Sequence, residues 1–206
     1  MKKELVAAIF FFGGLWGICE AVVGGALYGS HMAHASVILT VCGLVVLTFA
    51  RVYLPQKGTA TAIAACAMLY KFLNEPFFAC HLVGILLTGL CYDLAFAGLK
   101  IKNRAVAAAA TVYASYALFA LLMTYVVRYE HWVEAGFVRV LGHVAVSGTM
   151  AAAVCALLVP LSFRLAARLG RSPAMPFESR PRLVRGAVSL ATAGLWVFGL
   201  AVYFLA

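Results

Sequence analysis

One carboxylate, that of Glu20, lies inside the first apolar run of the chain, which extends from Leu5 to Tyr28. Roughly 24 residues of α-helix span about 36 Å, enough to cross a ~30 Å hydrocarbon core. An acid at that depth is costly unless it faces protein, water or a partner, so it marks a candidate functional site. We predict that Glu20 and Trp16, on the same helix face, contact a ligand. The alternative is a protonated Glu20 hydrogen-bonded at a helix contact.

Histidines and a second acid supply further candidate ligands. His31 and His34 follow the first run, His81 lies one turn into a later run, and His143 begins another. Imidazole together with carboxylate suits divalent transition metals such as Zn, Ni or Co, and Glu20, His81 and His143 form the predicted metal set. The full predicted ligand-binding set is Trp16, Glu20, His31, His34, Asn74, Glu75, His81 and His143. Single interfacial histidines are often only surface residues, and Glu75 before Pro76 also suits a helix-start acid.

The elements that position these residues are membrane spans, because the composition excludes a soluble domain. The chain of 206 residues is 65% hydrophobic and 11% charged, with a mean hydropathy of +1.00. A soluble protein of this size cannot bury so much apolar surface. We predict an all-α, polytopic transmembrane helix bundle that forms a single domain over residues 1–206.

About seven spans are predicted, six plus a C-terminal one. After the first run they cover Ala33–Leu54, Thr59–Leu73, Phe77–Leu99, Ala105–Val127, Phe137–Leu161 and Ala187–Ala206. The third run is short and precedes Pro76, so a re-entrant segment is its alternative. Between the fifth and sixth spans, Tyr129 and Trp132 are predicted interfacial anchors. Asp93, in the fourth span, is predicted to pair with Lys100 by snorkelling.

Lysine and arginine are distributed asymmetrically among the connections. With seven spans and a cytoplasmic N-terminus, 13 of the 16 basic residues face the cytoplasm, many of them in a basic loop at about 164–185. Only Lys71, Arg128 and Arg139 then lie outside. This bias predicts an N-terminus inside and a C-terminus outside, in a bacterial-type cytoplasmic (inner) membrane. Every histidine then lies toward the external side, which predicts an outward-open vestibule.

Motifs of soluble enzymes and of nucleic-acid readers are absent from the sequence. HExxH, GxSxG, Walker A and GxGxxG patterns do not occur, so we predict that the chain is not an enzyme and does not hydrolyse ATP. The net charge of +9 is explained by the basic connections rather than by a nucleic-acid partner. The six cysteines form no CxxC pair and are typical of small buried residues.

Two stretches carry a resemblance to a known family. GGLWGICEAVVGGALYGSHMAH near the start and KFLNEPFFACHLVGILLTGL in the middle, in a small and strongly apolar chain, resemble the membrane-embedded substrate-binding (S) components of energy-coupling-factor transporters. The resemblance implies capture of a vitamin or metal ion from outside, with energy from a transmembrane coupling subunit and ATPases. A small-residue ridge would be the docking face for that subunit: Gly13, Gly17, Ala21, Gly25 and Gly29. The seventh span and the missing N-terminal metal-chelating histidine depart from the pattern.

Two other functions fit the same residues. His81 and His143, at similar depth on different helices, match bis-histidine ligation of a b-type haem in an electron-transfer subunit. A ligand-free membrane scaffold would explain the glycines but not the one-sided histidines. The predicted partners are membrane lipid, the coupling subunit with its ATPases, and a small-molecule or metal ligand.

Overall fold

The structure is a computed structural model that describes residues 2–73, 79–169 and 182–205. These residues form ten α-helices: α1 Lys2–Ile18, α2 Gly24–Gly29, α3 Ala35–Tyr53, α4 Thr59–Met68, α5 Ala79–Asp93, α6 Arg104–Leu121, α7 Glu130–Val133, α8 Gly136–Gly142, α9 Thr149–Leu169 and α10 Arg182–Leu205. Four π-helical turns extend or join them, at Cys19–Val23, Leu94–Gly98, Leu122–Val126 and His143–Gly148, and a 3₁₀ turn, Leu69–Leu73, follows α4.

Five of the continuous helical stretches are long and apolar enough to cross a membrane. They are Glu4–Gly29, Ala35–Tyr53, Cys80–Gly98, Arg104–Val126 and Gly136–Leu169. Each coincides with a predicted span, so the prediction of a multi-pass helical membrane bundle is confirmed. The third and seventh predicted spans correspond to shorter apolar helices, Thr59–Phe72 and Ser189–Ala201, within the described residues.

Small residues let the helices approach closely. Gly13 of α1 lies against Cys66 and Ile63 of α4, and Gly17 lies against the Tyr70 ring in the 3₁₀ turn that follows α4. The sequence numbers rise together along both helices, so α1 and α4 run parallel. A side chain at either glycine would collide with the neighbouring element, which explains why glycine stands there.

The alanine-rich α6 packs antiparallel to α9. The Arg104 guanidinium lies 4.4 Å from the Phe163 ring centroid at one end, and Tyr113 Oη is 2.9 Å from Thr149 Oγ1 further along. Ala107, Ala108, Ala151 and Ala152 are buried, and their small side chains let these two helices approach closely.

Asp93 has a different partner from the one predicted. Its Oδ2 accepts hydrogen bonds from the backbone N–H and the hydroxyl of Thr61, both at 2.8 Å. The pairing with Lys100 is wrong, because the first turn of α4 offers Asp93 unsatisfied N–H groups. Gly58, which precedes α4 at φ +82°, has no side chain to cap them. Asp93 therefore supplies the cap from α5.

The helix directions bring most basic residues to one end of the bundle. The connections 54–58 and 99–103 meet there, beside the start of α6 and the last turns of α9. The described basic side chains at this end are Arg51, Lys57, Lys100, Lys102, Arg104, Arg164 and Arg168. Residues 30–34 and 127–135 form the opposite end, and the bundle is therefore strongly asymmetric in charge.

Candidate functional site

A cavity of about 490 Å³ lies among the helices toward the end formed by residues 30–34 and 127–135. Of the predicted ligand-binding residues, five line this one cavity: Trp16, Glu20, His34, His81 and His143. The cavity therefore brings together side chains that are far apart in sequence. They come from α1, α3, α5, α6 and the segment 129–147. His31 is exposed and is not among the residues that line the cavity. Asn74 and Glu75 lie outside the described residues.

Glu20 is buried, with 6% of its surface exposed, and its carboxylate has two partners. The indole N–H of Trp16 donates to Oε1 at 3.2 Å, and the Lys71 ammonium lies 3.4 Å from Oε2. Lys71 is itself only 3% exposed. Each charge offsets the desolvation of the other, as a buried ion in an apolar bundle requires.

A π-helical turn makes this pair possible. In Cys19–Val23 the N–H of Gly24 reaches the carbonyl oxygens of Cys19 and Ala21 instead of that of Glu20. The Glu20 carbonyl accepts a hydrogen bond from Lys71 Nζ at 2.7 Å. One ammonium group therefore holds both the main chain and the carboxylate of Glu20. Such turns occur often at functional sites.

Lys71 was predicted to lie at the external end of the third span, where it counted among the three basic residues outside. Its position three residues before Asn74 made it count as an orientation signal rather than as a buried ion. The usable signal was present, since Lys71 and Glu20 are opposite charges at matching predicted depth in two apolar runs.

Aromatic rings line most of the remaining wall. Tyr28 stacks on His81 with ring centroids 4.8 Å apart, and Tyr116 stacks on His143 at 4.7 Å. Both histidines are thus fixed as flat surfaces by a tyrosine from another element. The six aromatic side chains of the wall are Trp16, Tyr28, Tyr116, Phe119, Tyr129 and Trp132.

Trp132 lies inside the protein, not at a lipid interface. It is 7% exposed, and its ring meets Phe119 edge-on at 5.4 Å and His143 at 5.1 Å. The interfacial-anchor prediction is wrong for Trp132, because the short helix α7 folds it back over the cavity. Tyr129 lines the cavity too but is 41% exposed.

Arg139 and His131 lie beside Trp132 where the cavity meets the loop 127–135. The Arg139 guanidinium donates a hydrogen bond to the His131 ring nitrogen and lies 5.4 Å from the Trp132 ring centroid. Both side chains line the cavity. Neither residue was predicted to bind a ligand, because histidine and arginine are common at membrane surfaces.

Hydroxyl groups link the helices around the cavity. The His34 ring is 2.8 Å from Ser147 Oγ, which ties the start of α3 to the π-helical turn at His143–Gly148. Thr40 Oγ1 is 3.2 Å from Tyr116 Oη, which joins α3 to α6. The cavity is therefore held from several sides by short polar contacts.

The predicted metal ligands do not form a metal centre within the described part of the chain. No group of three or more His, Cys, Asp or Glu side chains there is arranged to hold an ion. Glu20 is instead engaged by Lys71, and His81 and His143 are stacked on tyrosines. Both histidines therefore line the cavity as rings packed on tyrosines rather than as ligands of one ion.

The predicted docking ridge is only partly exposed. Gly13 and Gly17 are covered by α4 and the turn after it. Gly25 and Gly29 are exposed and Ala21 is half-buried. The part of the ridge that remains open to a partner is therefore its cavity-side end.

Comparison with known proteins gives no relative: no protein-family profile, no curated protein and no solved structure matches the chain.

Proposed function

We propose that the chain is the solute-binding component of a membrane transport system. It takes a small organic molecule from the external side into the aromatic cavity and depends on a partner for energy. The observation that carries this proposal is the single cavity into which Trp16, Glu20, His34, His81 and His143 converge.

The dimensions and chemistry of the cavity support an organic ligand. Its volume of about 490 Å³ falls in the range of small-molecule sites, which are mostly apolar with a few placed polar groups. Aromatic and imidazole rings form flat walls, and hydroxyl groups supply orientation. A metal ion is less well served, because the carboxylate of Glu20 is already paired with Lys71.

The charge asymmetry supports entry from outside. The basic end of the bundle belongs in the cytoplasm by the positive-inside rule, and the cavity lies toward the other end. This orientation puts the N-terminus inside. With α4 and its following turn as the third crossing and α10 as the seventh, the C-terminus is outside.

The same arrangement agrees with a role like that of the S components of energy-coupling-factor transporters. In that role a transmembrane coupling subunit and ATPases supply the energy, and the exposed Gly25 and Gly29 offer a small-residue contact. The membrane is then a bacterial-type cytoplasmic membrane.

A b-type haem is the second candidate, because His81 and His143 line the same cavity from different elements. In that case the chain would be an electron-transfer subunit, and its absorption spectrum would contain a Soret band.

Native mass spectrometry of gently purified full-length protein tests the proposal. We expect a non-covalent organic adduct on the wild-type protein and its loss in Gly84→Leu, which places a larger side chain at a cavity-lining position. Gly142→Leu is the matched control, since Gly142 is exposed and has no neighbour within 4 Å. An adduct retained by Gly84→Leu, a haem adduct, or a metal adduct without organic ligand would contradict the proposal.

A further inference from the structure

The charges around the cavity identify the class of its ligand. Resting on the proposed function, we infer that the substrate is a flat aromatic acid, whose ring lies among the aromatic walls and whose carboxylate binds Arg139.

The inner part of the cavity carries no uncompensated charge on its described side chains. Among the described residues that line the cavity, Glu20 is the one with a carboxylate. The Lys71 ammonium lies 3.4 Å from its Oε2. Trp16 donates to its other oxygen. A cationic ligand would have to compete with an ammonium group that is already buried beside Glu20, so the pair does not select for cations.

The outer part carries one guanidinium group without an acidic partner. Of the described carboxylates, none lies within 4 Å of Arg139. Its contacts are a nitrogen of His131 and the face of Trp132. Glu130 and Glu134, in the loop 127–135 that precedes the helix of Arg139, do not line the cavity.

Arg139 is also positioned to bind an anion. A guanidinium group has five N–H donors. The hydrogen bond to His131 uses one of those of Arg139. Contact with the Trp132 face restricts its direction. A planar fork fixed in this way matches a carboxylate by two parallel hydrogen bonds.

The walls next to Arg139 fit an aromatic ring. Tyr116 and His143 are stacked nearly parallel at 4.7 Å, Trp132 meets Phe119 and His143 edge-on, and all four residues line the cavity. Such surfaces favour offset-stacked and edge-to-face contacts with another ring. The aromatic walls therefore favour a ligand with a flat ring, and the neighbouring Arg139 favours a carboxylate on that ring.

Calorimetric titration of the full-length protein in nanodiscs tests this inference with matched probes: 2-naphthoate, 2-naphthalenemethanol, 2-naphthylmethylamine and cyclohexanecarboxylate. We expect 2-naphthoate to bind at least tenfold more tightly than each of the others. Arg139→Gln should remove the preference of 2-naphthoate over the alcohol, whereas Arg128→Gln, on a loop arginine outside the cavity wall, should keep it.

The outcomes separate the inference from the proposed function. Equal binding of acid and alcohol, a preference for the amine, or an unchanged preference in Arg139→Gln would overturn the acidic class, while loss of that binding in Gly84→Leu would still support the cavity. If none of the four probes binds, the aromatic-acid class is overturned, and the native mass spectrum alone then decides the proposed function.

Discussion

The ion pair of Glu20 and Lys71 joins two buried side chains of opposite charge. The sequence predicted that Glu20 would face protein rather than lipid, because an unpaired acid is costly in hydrocarbon, and its burial beside Trp16 and Lys71 agrees with that. Matching depth and opposite charge made Lys71 a possible partner, but the sequence alone does not establish the pairing, since it depends on the azimuth of Lys71 in a turn that follows α4.

Removing one member of this pair should cost more than removing both. Lys71→Met leaves Glu20 buried with only the Trp16 hydrogen bond, and we expect the free energy of unfolding to fall by about 3–5 kcal/mol. The double variant Glu20→Gln, Lys71→Met should recover a large part of that loss. Chemical unfolding in detergent measures both, with Lys57→Met at the exposed loop as control. Strictly additive effects would contradict a coupled pair.

At the level of helices, hydrophobic runs predicted where the apolar helices lie, whereas the irregular turns of the backbone could not be predicted. The predicted span Ala33–Leu54 is helix α3, Ala35–Tyr53, because period and length suffice to find an apolar helix. The π-helical turns at Cys19–Val23 and His143–Gly148 have no local sequence signature. They nevertheless set the positions of Glu20, His143 and Ser147.

The contact between α1 and the end of α4 gives a prediction for Gly17. Gly17→Ala places a methyl group in the Tyr70 ring, and we expect the free energy of unfolding to fall by about 1–3 kcal/mol from overpacking. Gly142→Ala adds the same group in open space and should leave stability unchanged or raise it by up to about 1 kcal/mol. Thermal unfolding of both variants checks this. Equal effects would mean that α1 and α4 do not pack as described.

Across the whole molecule, charge distribution and cavity position are linked by the helix directions. The sequence predicted the asymmetry from basic residues alone, and the antiparallel pairing of α6 with α9 and the cap of α4 by Asp93 bring those residues to one end. The depth of the histidines was predictable as well. Their directions were not, because depth follows from position along a helix whereas convergence depends on how five elements pack.

Two engineered cysteines test the orientation. Lys57→Cys lies at the basic end and Glu134→Cys in the loop at the opposite end. A membrane-impermeant thiol reagent added to intact cells should label Glu134→Cys but not Lys57→Cys, and inverted vesicles should give the reverse. The wild-type protein provides the background from native cysteines. Labelling of both positions from one side would refute the predicted topology.

The native Cys80 allows the most direct test of an outward-open binding cavity, because its side chain lines the cavity while Cys66, Cys91 and Cys155 are buried. The measurement is peptide mass spectrometry after a small membrane-impermeant thiol reagent is added to intact cells. We expect Cys80 to be modified from outside and the three buried cysteines to stay unmodified. Gly84→Leu should slow the modification of Cys80 at least tenfold, while Gly142→Leu should not. Modification of Cys80 only from the cytoplasmic side, or at the same rate in Gly84→Leu, would contradict it.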